Sequence, residues 1–167
     1  MDDQGAGQNP PNGAALNFWI KPGTTDTTKH DSATFTIANA AGAVVRTMKA
    51  PVKAGLNRAY WDLRSELTIE AKIRSAPLYE DWFAVTDEGQ KAPGIGRYAV
   101  LEPPGTYKVT LKYAGVEESQ PLVILKDPMS GASEQEIAAQ METQRAVIAG
   151  INDAVTQVND LEIVRGQ

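Results

Sequence analysis

The sequence predicts a mainly β protein: an antiparallel β-sandwich over residues 14–126, followed by one long α-helix over residues 133–165. Three observations predict it. Short segments alternate apolar and polar residues with a period of two, which is the pattern of half-buried strands. Between them lie Pro22-Gly23, Asn39-Ala40-Ala41-Gly42, Lys53-Ala54-Gly55, Pro103-Pro104-Gly105 and Ala114-Gly115, turn chemistry at the short spacing of an all-β domain. After Asp127-Pro128 the period lengthens to steps of three and four, as on a helix.

The elements follow in order. Residues 1–13 are rich in Gly, Asn, Gln and Pro and read as a linker. In the first strand Ala14, Leu16, Phe18 and Ile20 share one face, and Thr24 to Asp31 form a polar loop beyond it. The second strand runs from Ala33 to Ala38, with Phe35 and Ile37 facing one way and Thr34 and Thr36 the other. Val44 to Met48 returns as the third, and Asn57 to Leu63 makes the fourth, with Ala59, Trp61 and Leu63 on the apolar face. The pattern fails across residues 64–102, a long irregular insertion with Pro77 and Pro93; it has room for a short helix over Ser65–Arg74 and a short strand over Tyr98–Leu101. Alternation is clearest from Thr106 to Tyr113, where Tyr107, Val109 and Leu111 point inward, and a last strand covers about Glu118 to Lys126.

Ser133-Glu134-Gln135-Glu136 is a capping box and opens the helix. Ile137, Met141, Gln144, Ile148, Ile151, Val155, Val158 and Glu162 form a heptad seam with two polar interruptions. An apolar stripe on so long a helix needs a covering partner. The apolar positions Ile137, Met141, Ile148, Ile151, Val155 and Val158 are therefore expected to contact another helix: a continuation of the chain, a second copy or a partner subunit.

Composition excludes several functions. The chain has no Cys and one His, so thiolate sites, disulfides and His-based relays are not expected. A net charge of −5 with no basic stripe argues against nucleic acid. Acid is concentrated in the helix: residues 133–167 carry six acids and two Arg, −4 of the −5. No apolar run reaches the length of a membrane span. Met1-Asp2-Asp3-Gln4-Gly5 has neither the basic nor the apolar region of a secretory signal, so either no signal is used or it lies upstream.

Gly55-Leu56-Asn57, Tyr60-Trp61-Asp62-Leu63-Arg64 and Pro104-Gly105-Thr106-Tyr107, in that order, resemble the immunoglobulin-like domains of the flagellar hook-capping type. With Gln120-Pro121-Leu122-Val123-Ile124, Lys126-Asp127-Pro128 and the helix from Ser133, the resemblance extends over residues 9–165. It is then to the C-terminal region of large bacterial secreted proteins with sortilin- or sialidase-type propellers. The resemblance implies an immunoglobulin/fibronectin-III-like sandwich in which Asn57, Trp61, Asp62, Gly105 and Tyr107 are structural. It also implies a periplasmic or extracellular location, and it places a propeller and a second helix in the family outside these 167 residues.

No constellation fixes a reaction. Asp62, Glu66, Glu80 and Asp81 are carboxylates of the type glycosidases pair across a cleft, but acids are abundant and nothing selects two of them. Trp61 beside Asp62 has the look of a sugar platform, yet its alternation with Ala59 and Leu63 makes it a core residue. Asp26, Asp31, Asp87 and Glu88 lie in polar loops without a calcium-loop pattern, Gly94-Ile95-Gly96 lacks the Lys of a phosphate loop, and His30 sits in a polar loop. No cofactor or metal is expected. Tyr79, Trp82 and Phe83 are the best candidates for ligand contact; they either offer flat faces to a sugar or peptide, or cap an open end of the sandwich. The expected role is a non-catalytic accessory domain that braces or assembles a larger secreted protein. The alternative is a carbohydrate- or peptide-binding module using the 79–83 aromatics.

Overall fold

The computed structural model describes residues 11–23, 32–76, 78, 79, 82, 84–91 and 96–165. The chain is mainly β with antiparallel sheets and one C-terminal helix, and it divides into two units. The first unit is Met1–Arg64 with Pro104–Leu125; the second is Ser65–Pro103 with Lys126–Gln167. The insertion and the helix thus belong to one unit.

In the first unit, β1 (Ala14–Ile20) pairs with β4 (Gly55–Trp61) as a two-stranded sheet. The other sheet has four strands: β2 (Ser32–Ala38), β3 (Val44–Pro51), β7 (Gly105–Tyr113) and β8 (Val116–Ile124), in the order β3-β2-β7-β8. Period-two alternation puts Phe18, Ile20, Ala59 and Trp61 of the first sheet against Ala33, Phe35, Ile37, Ala50, Tyr107 and Val109 of the second. The two sheets therefore share one core. Phe18 meets Phe35 edge to face at 5.2 Å, and Trp61 meets Tyr107 likewise at 5.4 Å. Such offset geometry suits the ring quadrupoles.

Turn residues fix the register. Asn57 is buried and closes the β3–β4 turn: its Oδ1 accepts from the Lys53 N–H at 2.9 Å, and its Nδ2 donates to the carbonyls of Lys53 (2.7 Å) and Gly55 (2.9 Å). Gly13 is at φ +115°, and a Cβ there would lie 2.1 Å from the Trp61 carbonyl oxygen, so no larger residue fits. β4 ends at Trp61, two residues before the expected Leu63. The reason is local: Asp62 Oδ1 accepts from the Arg64 N–H at 3.1 Å, and Leu63 takes a left-handed φ of 60°, which turns the chain out of the sheet. Trp61 Nε1 donates to the Arg64 carbonyl at 2.9 Å, satisfying its buried indole.

Ala114 and Gly115 connect β7 to β8, both with positive φ (49° and 81°), as a two-residue hairpin loop matched to strand twist requires. Alanine is strained there where asparagine or glycine is not. Ala114→Asn is expected to raise stability by about 0.5–1 kcal/mol, read as a higher melting temperature; a lowered one would contradict the turn assignment.

The second unit holds α1 (Glu134–Arg165) and a mostly irregular segment with two short strands, β5 (Lys72–Ile73) and β6 (Gln90–Lys91). The helix expected over Ser65–Arg74 is absent, and Tyr98–Leu101 is not a strand. Instead Ser65 and Thr68 bind Val100 and Tyr98 twice each. Their N–H groups donate to the carbonyls of Val100 and Tyr98 at 2.8 Å, and their hydroxyls accept the N–H groups of the same residues at 2.9 and 3.0 Å. Side-chain oxygens here replace the ladder bonds that would have made these segments strands.

Candidate functional site

The helix begins as its sequence dictates. The Glu136 N–H donates to Ser133 Oγ at 3.2 Å, and the Ser133 N–H donates back to Glu136 Oε2 at 2.7 Å. The Ser133 N–H, and then the Ser133 hydroxyl donating to the same Oε2 at 2.9 Å, hold the Glu136 carboxyl below its ordinary pKa. At 32 residues α1 is about 48 Å long.

One face of α1 is closed by the chain itself. An extended segment, Ile69 to Ser75, runs along the helix in the same direction, and helix side chains take its backbone hydrogen bonds. Asn152 Oδ1 accepts from the Ile69 N–H at 2.8 Å. Asn159 Oδ1 accepts from the Lys72 N–H at 2.8 Å while its Nδ2 donates to the Glu70 carbonyl at 3.1 Å. Glu162 Oε2 accepts from the N–H groups of Arg74 (2.8 Å) and Ser75 (3.0 Å) and from Ser75 Oγ (2.8 Å). The match is one of rise: ten helical residues and five extended ones each advance about 15–16 Å. Asn159 reads its extended neighbour as an adjacent strand would, one acceptor and one donor two residues apart.

Electrostatics favour the same closure. The Arg74 N–H, followed by Ser75, holds the buried Glu162 carboxyl below its ordinary pKa against the opposing effect of burial. Arg165 Nη1 pairs with Glu162 Oε1 at 2.9 Å, and Arg145 Nη2 with the buried Glu102 at 3.4 Å. Lys91 bridges to Glu70 at 3.0 Å beside the β5–β6 pair and lowers the Glu70 pKa.

Of the expected seam residues, Met141 is buried and Ile137, Ile148, Ile151 and Val155 are half-buried; Val158 is exposed, and Asn159 stands inward beside it. No second helix among the described residues contributes to this face: the clasp supplied by residues 69–75 does, and polar side chains along the seam are its fasteners. Asn152 and Asn159 escaped sequence reasoning. Their signal was a seven-residue spacing of amides on an otherwise apolar face.

Outside the clasp, α1 exposes several large apolar side chains. Val147, Val158, Leu161 and Val164 are exposed, Leu161 to 63 % and Val164 to 70 %. Both helix arginines are engaged with Glu102 and Glu162, while Glu142, Asp153 and Asp160 stand in solvent with no cation partner among the described residues. The result is an apolar stripe flanked by unneutralised acid.

The aromatic segment lies open. Leu78 is 83 % exposed, Tyr79 96 % and Trp82 77 %, so Tyr79 and Trp82 do not cap a buried end. Tyr79 takes a left-handed φ of 73°. Phe83, Glu80, Asp81, Asp26, Asp31, His30, Gly94 and Ile95 lie outside the described residues. Asp62 is an exposed turn acceptor, and Trp61 is buried in the core. Among the described residues no three His, Asp or Glu side chains gather as metal ligands. A groove of about 430 Å3 between the β2–β3 turn and the β7–β8 pair is lined by residues such as Asn39, Thr106, Lys108 and Gln120, with no carboxylate among them. No helix among the described residues is long and apolar enough to cross a membrane.

No family model, curated protein or solved structure matches this chain.

Proposed function

We propose that this chain is a non-catalytic assembly domain, immunoglobulin/fibronectin-III-like in its sandwich, that pairs with a second copy of itself through the outward face of α1 and so helps to assemble a larger secreted protein or complex. The observation that carries this reading is the exposure of Val147, Leu161 and Val164, with Val158 at the border of the clasped side, on a helix whose residues 152–162 are already held by residues 69–75. Large apolar side chains exposed on one side of a helix suit an association face. The strand order supports the fold reading. The chain passes from the two-stranded sheet to β2 and β3, back to β4, then to β7 and β8, crossing between sheets as in immunoglobulin-like sandwiches. The motifs around Asn57, Trp61, Asp62, Gly105 and Tyr107 support the likeness to sandwiches that accompany secreted propellers, and with it a periplasmic or extracellular setting. Every one of these residues serves the fold. Asn57 closes a turn, Trp61 and Tyr107 pack together, Asp62 turns the chain and Gly105 opens β7.

The chain contains no cysteine, so a single introduced one reports cleanly. Leu161→Cys carrying a nitroxide is expected to show a broadened, immobilised spectrum at high protein concentration that sharpens on dilution. A spectrum of a freely rotating label at all concentrations would count against the reading.

A second reading rests on the exposure of Leu78, Tyr79 and Trp82: a peptide- or carbohydrate-binding surface. Tyr79→Ala and Trp82→Ala would then abolish glycan-array or peptide binding without changing the melting temperature.

A further inference from the structure

The outer face of the four-stranded sheet carries a patterned polar surface. The strand registers place its outward side chains in rows across β3, β2, β7 and β8. The central row is Thr47, Thr36, Thr110 and Ser119, one hydroxyl per strand. Neighbouring strands lie about 4.7–4.9 Å apart, so the hydroxyls form a closely spaced line. Thr110 and Ser119 bind each other at 2.9 Å. On one side of the line lie Lys49, Thr34 and Lys112, with Glu117 at the end of that row. On the other side lies Lys108, between Ala38 and Pro121. The outward positions of these strands thus hold three lysines against one glutamate, on a chain of net charge −5.

At Lys108 this face meets the groove of about 430 Å3 beside the β2–β3 turn. That volume lies in the range of small-ligand sites, about 300–1,000 Å3. Lys108 is the one charged residue of its lining. Asn39, Thr106 and Gln120 add amides and a hydroxyl, and Ala38 and Pro121 add small apolar surface. Asn39 is held in place: its Oδ1 accepts from the N–H groups of Ala41 and Ala43 at 3.0 Å each. Its Nδ2 has no partner among the described residues. A donor fixed in this way loses little freedom on binding.

These features select the occupant. A lysine in a groove without a carboxylate calls for an anion. Amides and hydroxyls around small apolar surface suit a sugar ring, which has hydroxyls at its rim and C–H groups on its faces. The outward positions carry no aromatic residue on which a nucleobase could stack. They carry no Leu, Ile or Met either, so they offer no anchor for a protein interface or a lipid surface. For the same reason the face does not suit the apolar helix side of a second copy, with its Leu161 and Val164.

We propose that the outer face of the β3-β2-β7-β8 sheet binds an acidic oligosaccharide. One ring bearing a carboxylate or sulfate occupies the groove, its anion on Lys108 and its hydroxyls on Asn39, Thr106 and Gln120. The chain then crosses the line of hydroxyls. A second anion meets Lys112, four residues farther along β7 and therefore about 13 Å away. The surface belongs to the first unit and does not involve the aromatics at 78–82.

The test titrates the full chain with oligosaccharides of polygalacturonate, alginate, hyaluronate and heparin, with dextran oligosaccharides as the uncharged comparison. Amide resonances of residues 36–42, 106–112 and 119–121 are expected to shift with at least one acidic probe and not with dextran. The uronates report a carboxylate ligand and heparin a sulfate. Binding is expected to weaken as salt rises. Lys108→Glu is expected to weaken it about tenfold at an unchanged melting temperature, because it replaces a charge-assisted bond by repulsion. Lys108→Arg is expected to retain it, and Tyr79→Ala to leave it unchanged. Should Lys108→Glu fail to fold, the acidic and uncharged probes on the wild-type chain still decide. No shift with any acidic probe at millimolar concentration, equal binding of dextran, or loss of binding in Tyr79→Ala would overturn the proposal. So would equally tight binding to vesicles of anionic phospholipid. An oligomer of the chain alone that Lys108→Glu dissolves would assign the face to a second copy instead.

Discussion

Trp61→Ala is expected to lower stability by about 3–5 kcal/mol, the usual cost of a large-to-small change in a core. Trp61 is 1 % exposed and packs edge to face on Tyr107, and its indole N–H donates to the Arg64 carbonyl just past the end of its own strand. Alanine removes the ring from the shared core, removes the aromatic pair, and leaves the turn at Asp62–Arg64 without its anchor. The measurement is urea unfolding followed through the near-ultraviolet signal, and an unchanged midpoint would take Trp61 out of the core. Trp61→Phe separates the parts: it keeps most of the packing and loses the donor, so its cost is expected to be about 1–2 kcal/mol.

Glu162→Ala is expected to destabilise the second unit by about 3 kcal/mol. It strips the partner from the N–H groups of Arg74 and Ser75 and from the Ser75 hydroxyl at a buried position, and unpartnered buried donors are costly. The pH dependence has a defined sign. Bonds from the Arg74 backbone and then Ser75 lower the folded-state pKa of Glu162 below its unfolded value. Its stabilisation is therefore complete above the unfolded value of about 4.3, and is lost as pH falls through the lower folded one. Helical circular dichroism of the wild type should decline in that acid window, whereas Glu162→Gln should begin less stable at neutral pH and respond less to acid. Identical acid profiles for the two proteins would mean that the carboxylate does not hold the clasp.

The strands were legible because their chemistry is local. Phe35 and Ile37 alternate with threonines, Asn57 follows a turn glycine, and the Tyr107–Tyr113 run admits one register on a core. The helix start was legible for the same reason, since Ser133 and Glu136 lie three residues apart. Residues 69–75 were opaque because their backbone is satisfied by residues far along the chain: Ile69 by Asn152, Lys72 by Asn159 and Arg74 by Glu162. No period within the segment records those partners. That is also why the seam of α1 pointed to a second helix, when its polar side chains are shaped to grip an extended segment.

The outward face of α1 is the centre of the functional account, and light scattering of the purified chain beside Leu161→Asp tests it most directly. The account predicts that the wild type associates as its concentration rises, that Leu161→Asp stays monomeric throughout, and that the two share the same helical circular dichroism. Two monomers with equal helicity at every concentration would contradict it.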